Sequence, residues 1–225
     1  MKITWLGQAG LLFETGDKKI IVDPYLSDAV GTKDPAKHRR VPIDERFFSA
    51  EPDIIVLTHN HLDHTDPETL SRFLCGKKSV TVLASGLAWE TVRAFGGSHN
   101  YVLFNRHTEF SFGDIRFRAV RAEHSDPHAI GVLIEAEEKT YYVTGDTLYN
   151  TDIFPDLPER IDTVFLPVNG AGNNMNMDDA KRFCRKIGAK IAVPMHCGMF
   201  DDIDMTAFSC QNAVIPTVFG EIPLP

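Results

Sequence analysis

The sequence predicts an α/β fold: a four-layer αββα sandwich in which two mixed β-sheets pack face to face and helices flank them. Short β-runs alternate with helical segments in both halves of the chain, which is the order that such a layered fold requires. The segments PDIIVLTHNH (52–61) and RIDTVFLPVNG (160–170) also occupy corresponding places in the two halves and resemble each other weakly. Two similar sheets would account for that correspondence.

Three β-runs open the chain: KITWL, LLFET and KKIIVD. The third ends at Asp23-Pro24, where the proline terminates the strand. The stretch from 24 to 50 is rich in Asp, Pro, Gly and basic residues. It is longer than most loops, so we expect a functional flap or a short helix within it. The next run, DIIVLT (53–58), is almost continuously apolar, which is typical of a strand covered on both faces.

The clearest helix signal follows that strand. In DPETLSRFLCG, Asp66 is placed to cap the first turn, Pro67 suits the first helical position, and Gly76 ends the helix. SVTVLA is predicted to be a strand, and GLAWETVRAFGG a second helix that ends in glycines.

The second half of the chain is also predicted to combine strands with a helix. Residues 101–144 alternate in the β manner, with a hairpin turn at Gly113-Asp114. A proline-rich crossover leads to the strand DTVFLPV. The segment MDDAKRFCRKIG then places its apolar residues on one face at helical spacing, and KIAVPMH forms the last strand.

Length and composition predict one globular domain. The chain has 225 residues, of which 43% are hydrophobic and 24% charged, and we expect a single domain over 1–225. The net charge of −8 disfavours general nucleic-acid binding, because phosphates recruit basic surfaces. The basic run AKHRR (36–40) is interpreted first as a solvated loop, although such a patch can hold a phosphate.

No membrane association is expected, because no apolar run reaches the roughly 18 residues of a membrane span. The opening segment MKITWLGQAG has no long apolar stretch followed by a small-residue cleavage site, so a secretory signal is not expected. The sequence therefore predicts a cytoplasmic protein with a small-molecule substrate, and it leaves a homo-oligomer open.

Histidine and aspartate side chains collect just beyond the carboxyl ends of the predicted strands. Architectures of the α/β type place their ligands at these ends. The residues that follow this rule are Asp23, His59, His61, Asp63, His64, His124, Asp146 and His196.

These residue types suit a metal site. Imidazole and carboxylate groups together bind divalent ions such as Zn, Mn, Fe and Ni. The number of side chains exceeds what one tetrahedral ion uses, so we infer two divalent ions a few ångströms apart. Structural zinc sites are usually closed and rich in cysteine, whereas the chain has no CxxC pair, which favours an open catalytic site.

The motifs VDPY, THNHLDHTD, EHSD, TGDT and PMHCGMF, in this order, resemble those of the metallo-β-lactamase-fold hydrolase superfamily. The resemblance covers nearly the whole chain. It implies that His59, His61 and His124 bind a first metal ion and that Asp63, His64 and His196 bind a second. It further implies that Asp146 bridges the two ions and that Asp23 orients the metal-binding loop or a ligand imidazole.

Within the superfamily, THNHLDHTDPETL, LPVNGAGNNMNMDDA and AKIAVPMHCGMF are similar to the L-ascorbate-6-phosphate lactonase-like branch. That resemblance implies a sugar-derived lactone phosphate as the kind of substrate, and manganese as a metal.

Three further residues are candidates for substrate contact. Asn169 and Asn173 lie in NGAGNNMN, between a strand and a helix. That segment is either simple turn and cap chemistry or a source of amide donors for an oxyanion or phosphate. His128 follows His124 closely and is interpreted as a hydrogen-bonded surface histidine, with a substrate-facing acid as the alternative.

The function that the sequence predicts is metal-dependent hydrolysis of lactonase or phosphoesterase type. A hydroxide held by two divalent ions would attack an ester, lactone or phosphoester bond, in a substrate that includes phosphorylated sugar-like metabolites. Asp63 and Asp146 are the catalytic carboxylates, and Asp63 would accept a hydrogen bond from the hydroxide or move its proton. The alternatives are an iron-dependent thiol or persulfide oxygenase and a non-catalytic binding protein stabilised by metal.

Overall fold

A computed structural model describes residues 1–76 and 78–224. Within these residues, twelve strands form two six-stranded sheets. The strands of the first sheet are β1 (Lys2–Gly7), β2 (Gly10–Thr15), β3 (Lys18–Val22), β4 (Ile54–Leu57), β5 (Thr81–Ala84) and β6 (Asn100–Leu103). The strands of the second are β7 (Glu109–Phe112), β8 (Ile115–Arg121), β9 (Ile130–Ala136), β10 (Lys139–Val143), β11 (Thr163–Pro167) and β12 (Ile191–Met195).

The two sheets have similar construction. In each, the strands lie side by side in chain order, and both sheets are mixed. The antiparallel part contains three strands, β1 to β3, in the first sheet and four strands, β7 to β10, in the second, and the strands that follow are parallel. The predicted correspondence between the two halves is therefore confirmed.

Helices cover the outer faces of the sheets, as the sequence predicts. They are α2 (Pro67–Leu74), α3 (Gly86–Val92) and α4 (Met177–Ile187), whereas α1 (Ala29–Lys33) lies in the segment after β3. Asp66 caps α2 by accepting hydrogen bonds from the backbone N–H groups of Glu68 and Thr69. Glycine ends α4, because Gly188 takes a left-handed conformation at φ 64° that other residues adopt only with strain.

Alternate residues of β4 show why this strand reads as a continuous apolar run. Ile54 and Val56 belong to the core between the sheets. Ile55 and Leu57 pack on the other side, in the core that includes residues of α2 and α3. A third core lies between the second sheet and α4. Three apolar cores separate four layers, which confirms the predicted sandwich.

Residues 101–144, which the sequence predicts to be rich in β-structure, contribute strands to both sheets. Asn100–Leu103 pairs in parallel with β5 at the edge of the first sheet. The second sheet begins only at Glu109. The reason is the crossover through α3, which returns the chain to the same sheet and places β6 beside β5.

The long segment from 24 to 50 contains the short helix that its length predicts, α1, together with 3-10 turns at Pro35–Lys37 and Glu45–Ser49. Arg39 folds the segment onto itself, because its guanidinium donates hydrogen bonds to the backbone oxygens of Tyr25, Ser27 and Val41. Arg40 then donates its backbone N–H to the oxygen of Met199 at 3.0 Å. The segment therefore packs against the loop that follows β12. Across the described residues, no helix is both long and apolar enough to cross a membrane.

Candidate metal centre

All seven predicted metal ligands lie at one edge of the sandwich, just beyond the ends of strands. The loop after β4 carries four of them, and one each follows β8, β10 and β12. Because the carboxyl ends of parallel strands meet at the same edge, distant parts of the chain contribute to one site. Their side chains form two groups, each with potential ligand atoms within 4.8 Å of one another: His59, His61, His124 and Asp146, and Asp63, His64 and His196.

The first donor set consists of His59, His61, His124 and Asp146. Nδ1 of His61 lies 3.1 Å from Nε2 of His124. Oδ2 of Asp146 lies 4.0 Å from Nε2 of His59 and 3.8 Å from Nε2 of His124. His59 is fully buried, whereas His61 lies at the mouth of the site and is half-buried.

The second donor set consists of Asp63, His64 and His196. Nε2 of His64 and Nε2 of His196 lie 3.1 Å apart. Oδ2 of Asp63 lies 3.3 Å from Nε2 of His196 and 3.7 Å from Nε2 of His64. The three donor atoms therefore converge on one small volume.

Asp146 faces both sets with different oxygens. Its Oδ2 belongs to the first set, while its Oδ1 lies 3.1 Å from Nε2 of His196 and 3.3 Å from Nε2 of His64. Asn174 donates a hydrogen bond to Oδ2 at 2.9 Å, which fixes the plane of the carboxylate. Each oxygen of Asp146 therefore faces a different donor set.

The donor atoms themselves fit a divalent ion. Two nitrogens bound to one tetrahedral Zn²⁺ lie about 3.3 Å apart, close to the N···N separation found within each set. His124 donates Nδ1–H to the backbone oxygen of Asn173, which leaves Nε2 turned toward the site. Nε2 of His59 is buried without a hydrogen-bond partner among the described residues. A buried ring nitrogen without a partner is costly unless a cation binds it.

Asp23 lies behind the candidate ligands His59 and His64 and is linked to both by hydrogen bonds. Its carboxylate is fully buried and accepts hydrogen bonds from Thr58 N at 2.8 Å, Thr58 Oγ1 at 2.6 Å and His64 Nδ1 at 2.8 Å. Because the Thr58 hydroxyl gives its proton to Asp23, its oxygen accepts the hydrogen bond from His59 Nδ1 at 3.1 Å. One carboxylate thus contacts His64 directly and His59 through the Thr58 hydroxyl.

Burial and neighbouring charges shift the pKa values of the histidines and aspartates at the site. Burial lowers the pKa of His59 well below its ordinary value. Burial alone would also lower the pKa of His64 and His196, but the carboxylates of Asp146 and Asp63 outweigh it. The pKa of His64 rises well above its usual range, and that of His196 rises to about 10. Burial opposes ionisation of the two aspartates, yet these histidines hold the pKa of both carboxyls low. The carboxylates of Asp63 and Asp146 are therefore stabilised in their ionised form by positive charge beside them.

A cleft of about 500 Å³ opens over the two sets. Its lining includes Asn169 and Asn173, together with Lys37 from the segment after β3. Nδ2 of Asn169 lies 3.2 Å from Nδ1 of His196, and Asn173 holds His124 through its backbone oxygen. Asn173 has φ 64°, which is typical of a turn residue. The loop therefore combines turn geometry with a position in the lining of the cleft.

His128 lies elsewhere. It lines a neighbouring cavity of about 390 Å³ that shares His124 with the site, and its ring packs against Gly86, where an added Cβ would come within 2.8 Å. The backbone N–H of His128 donates a hydrogen bond to Oδ1 of Asp126 at 2.8 Å. Substrate contact by His128 stays a prediction without support from this geometry.

Two residues at the site were not predicted from the sequence. Asn174 holds Asp146, and Gln8 reaches Asp63 and His196 from the β1–β2 turn. Asn174 lies inside the asparagine-rich run that the sequence singles out, so that run gave a partial signal. Gln8 gave none, because a glutamine between glycines reads as an ordinary turn residue.

Paired mixed sheets with histidine and aspartate ligands at their strand ends define the metallo-β-lactamase-fold hydrolases. Comparison with solved structures agrees. The chain superposes on an isothiocyanate hydrolase from Delia radicum gut bacteria with a TM-score of 0.77 and 19% identity, covering 100% of this chain and 99% of that one. It superposes on the metallo-beta-lactamase fold protein YhfI from Bacillus subtilis with a TM-score of 0.74 and 17% identity, covering 97% of each. At these identities the likeness establishes the fold.

The sequence places the chain more closely. Residues 2–196 match the beta-lactamase superfamily domain. A UPF0173 metal-dependent hydrolase of Staphylococcus aureus strain bovine RF122 is 30% identical over 235 residues, covering 95% of this chain and 93% of the relative. The corresponding protein of strain JH9 is 29% identical with the same coverage. The chain belongs to the beta-lactamase superfamily and, within it, to the UPF0173 metal-dependent hydrolases.

Proposed function

We propose that this metal-dependent hydrolase cleaves an ester, lactone or phosphoester bond of a small molecule with the help of two divalent ions. The position of Asp146 is the observation that carries the proposal, since each of its oxygens faces a different donor set. Zn or Mn suits the mixture of imidazole and carboxylate donors best, and Fe or Ni is the alternative.

The candidate ligands are assigned to two ions. His59, His61 and His124 would hold one ion, Asp63, His64 and His196 the other, and Asp146 would contribute to both. When bound, the two ions supply a nucleophilic water of lowered pKa and polarise the substrate oxygen. Asp63 lines the cleft and its pKa is low, so an ionised carboxylate is available to accept a proton or hydrogen bond from the nucleophile.

The rim of the cleft favours a substrate with a negative group. Lys37 lines the cleft on a backbone turn that Asp34 caps, and its Nζ lies 3.7 Å from Oδ2 of Asp34. Asn169 and Asn173 lie in the same lining, and the amide of Asn169 is suited to a phosphate or carboxylate oxygen. A phosphorylated, sugar-like metabolite combines the reactive bond with such a group.

We expect Lys37→Gln to raise KM for an anionic substrate about tenfold while kcat changes little. A hydrogen bond to a charged group contributes about 1.5–3 kcal/mol, and 1.4 kcal/mol corresponds to about tenfold. Steady-state kinetics on one substrate with and without its charged group would measure the effect. Lys33→Gln is the matched control, because Lys33 is exposed on the same segment and does not line the cleft. An equal change in KM for both substrates would contradict the role of Lys37.

The proposed function is tested by metal removal and reconstitution. Protein freed of metal by chelation should lose activity on a panel of lactones, phosphodiesters and phosphomonoesters, and Mn or Zn should restore it. Activity that persists in folded, metal-free protein would contradict the proposal. Bound iron with oxygen consumption on persulfides would identify an oxygenase instead, and metal binding without turnover of any substrate would identify a binding protein.

A further inference from the structure

We propose that Gln8 is a positioning residue of the second donor set, and that its carboxamide holds Asp63 and His196 in the arrangement in which they bind a metal ion. The inference rests on the two-ion centre proposed above. Gln8 occupies the turn between β1 and β2 and is 2% exposed. It lies 55 residues before Asp63 and 188 before His196, so the fold alone brings the three together.

The first contact fixes Asp63. Nε2 of Gln8 donates a hydrogen bond to Oδ2 of Asp63 at 2.9 Å. The same oxygen lies 3.3 Å from Nε2 of His196, so it is the oxygen that faces the donor set. Only the NH₂ end of a carboxamide can face a carboxylate, because its own oxygen would be repelled. The hydrogen bond therefore selects one rotation of the Asp63 carboxylate.

The second contact fixes the ring of His196. Nε2 of Gln8 lies 3.3 Å from Nδ1 and 3.2 Å from Nε2 of that ring. These two nitrogens flank a single carbon, and an atom nearly equidistant from both would collide with that carbon if it lay in the ring plane. The amide therefore lies over the face of the imidazole. It limits rotation of the ring and keeps Nε2 directed toward His64 and Asp146.

The backbone of Gln8 adds a third contact. Its carbonyl oxygen accepts hydrogen bonds from the backbone N–H of His196 at 3.0 Å and from Nε1 of the buried Trp5 at 3.0 Å. Gln8 and His196 have φ of 48° and 60°, a left-handed region that residues with a side chain seldom occupy. Strained backbone of this kind costs about 1–3 kcal/mol and persists where the surroundings enforce it. Here the hydrogen bond from the His196 N–H to the Gln8 carbonyl oxygen links the two strained residues.

These contacts predict a selective effect. Gln8 touches Asp63 and His196, which belong to the second donor set, and not the imidazoles of the first set that surround His59. A residue that merely stabilised the fold would weaken both sets alike. A positioning residue for the second set should weaken one metal-binding step and leave the other unchanged.

The test is calorimetric titration of metal-free protein with MnCl₂, and separately with ZnCl₂. Wild type should bind two ions. In Gln8→Met, which keeps length but loses the amide, one Kd should rise by about 10- to 100-fold while the other stays unchanged, the range typical for partners of metal ligands. Gln8→His, which can present an N–H at similar reach, should recover part of the lost affinity. Gln8→Asn, too short to reach Asp63, is a second variant that should show the same selective loss.

The outcomes separate the two proposals. Wild type with two ions and folded Gln8→Met with unchanged affinities would overturn the role of Gln8 and leave the two-ion centre standing. An equal loss at both steps would show that Gln8 acts through general stability, and would also overturn the positioning role. Wild type that binds a single ion would overturn the two-ion centre, and with it this role.

Discussion

Asp146→Ala is expected to abolish hydrolysis and to empty both halves of the metal centre. Each oxygen of Asp146 faces a different donor set, at 3.1 Å from His196 on one side and 3.8 Å from His124 on the other. Replacing a residue that only supports a ligand typically costs 10- to 100-fold in affinity or activity, so loss of the shared ligand should exceed about 100-fold in kcat/KM. Elemental analysis of the purified protein, together with steady-state kinetics on a substrate that wild type turns over, would measure both effects.

The control variants distinguish the loss of the Asp146 charge from a general loss of folding. Asp146→Asn keeps the shape of the side chain but removes the charge, so it should also lose metal. Asp17→Asn removes a carboxylate whose side chain is 86% exposed, and it should behave as wild type. Thermal unfolding of the metal-free proteins would establish that the variants fold. A folded Asp146→Ala protein that retains two ions and near wild-type turnover would contradict the bridging role.

The fold could be predicted from the sequence because its signals are local. A buried strand such as Ile54–Leu57 is apolar on both faces, and the cap at Asp66 with Pro67 marks where α2 begins. Strand β6 was harder to assign, because the alternation of Asn100–Leu103 has the same appearance in either sheet. Only the crossover through α3 decides that it pairs with β5.

The seven candidate metal ligands could be located for a related reason. Residues at the carboxyl ends of parallel strands meet in space whatever their separation in sequence, so histidines and aspartates at those ends indicate a shared site. The resemblance to the metallo-β-lactamase-fold hydrolases then implies how these residues divide between two sets. The position of Asp23 near the site could also be predicted, since it directly follows β3, the strand that pairs with β4.

The surroundings of the ligands could not be predicted in the same way. Gln8 acts through a turn whose residues are ordinary, and its partners are known only once the two sheets are packed. Asn174 and Asn173 are neighbours, yet one binds Asp146 with its side chain and the other binds His124 with its backbone. His128 is close to His124 in sequence, and its ring packs against Gly86 in a cavity beside the site. Side-chain direction in loops depends on contacts that no periodicity encodes.

Asp23→Ala is expected both to destabilise the protein and to weaken metal binding. The substitution leaves Thr58 N, Thr58 Oγ1 and His64 Nδ1 without their acceptor in a fully buried position. Each buried donor without a partner costs about 1–3 kcal/mol, so the free energy of unfolding should fall by about 3 kcal/mol or more. Freed from Asp23, the imidazole of His64 loses its fixed orientation, and metal affinity should fall by about 10- to 100-fold. Denaturant unfolding of metal-free protein and metal titration would measure the two effects separately.

The backbone at this position determines the right controls, because Asp23 has φ 43°. Alanine tolerates that conformation poorly, so part of the loss in Asp23→Ala could come from strain alone. Asp23→Gly removes the strain and the carboxylate together, and it should still lose metal affinity if the carboxylate orients His64. Asp23→Asn tolerates the conformation and keeps one acceptor oxygen, so it should lie between wild type and Asp23→Gly. Wild-type metal affinity in Asp23→Gly would show that the loop after β4 holds its ligands without this carboxylate.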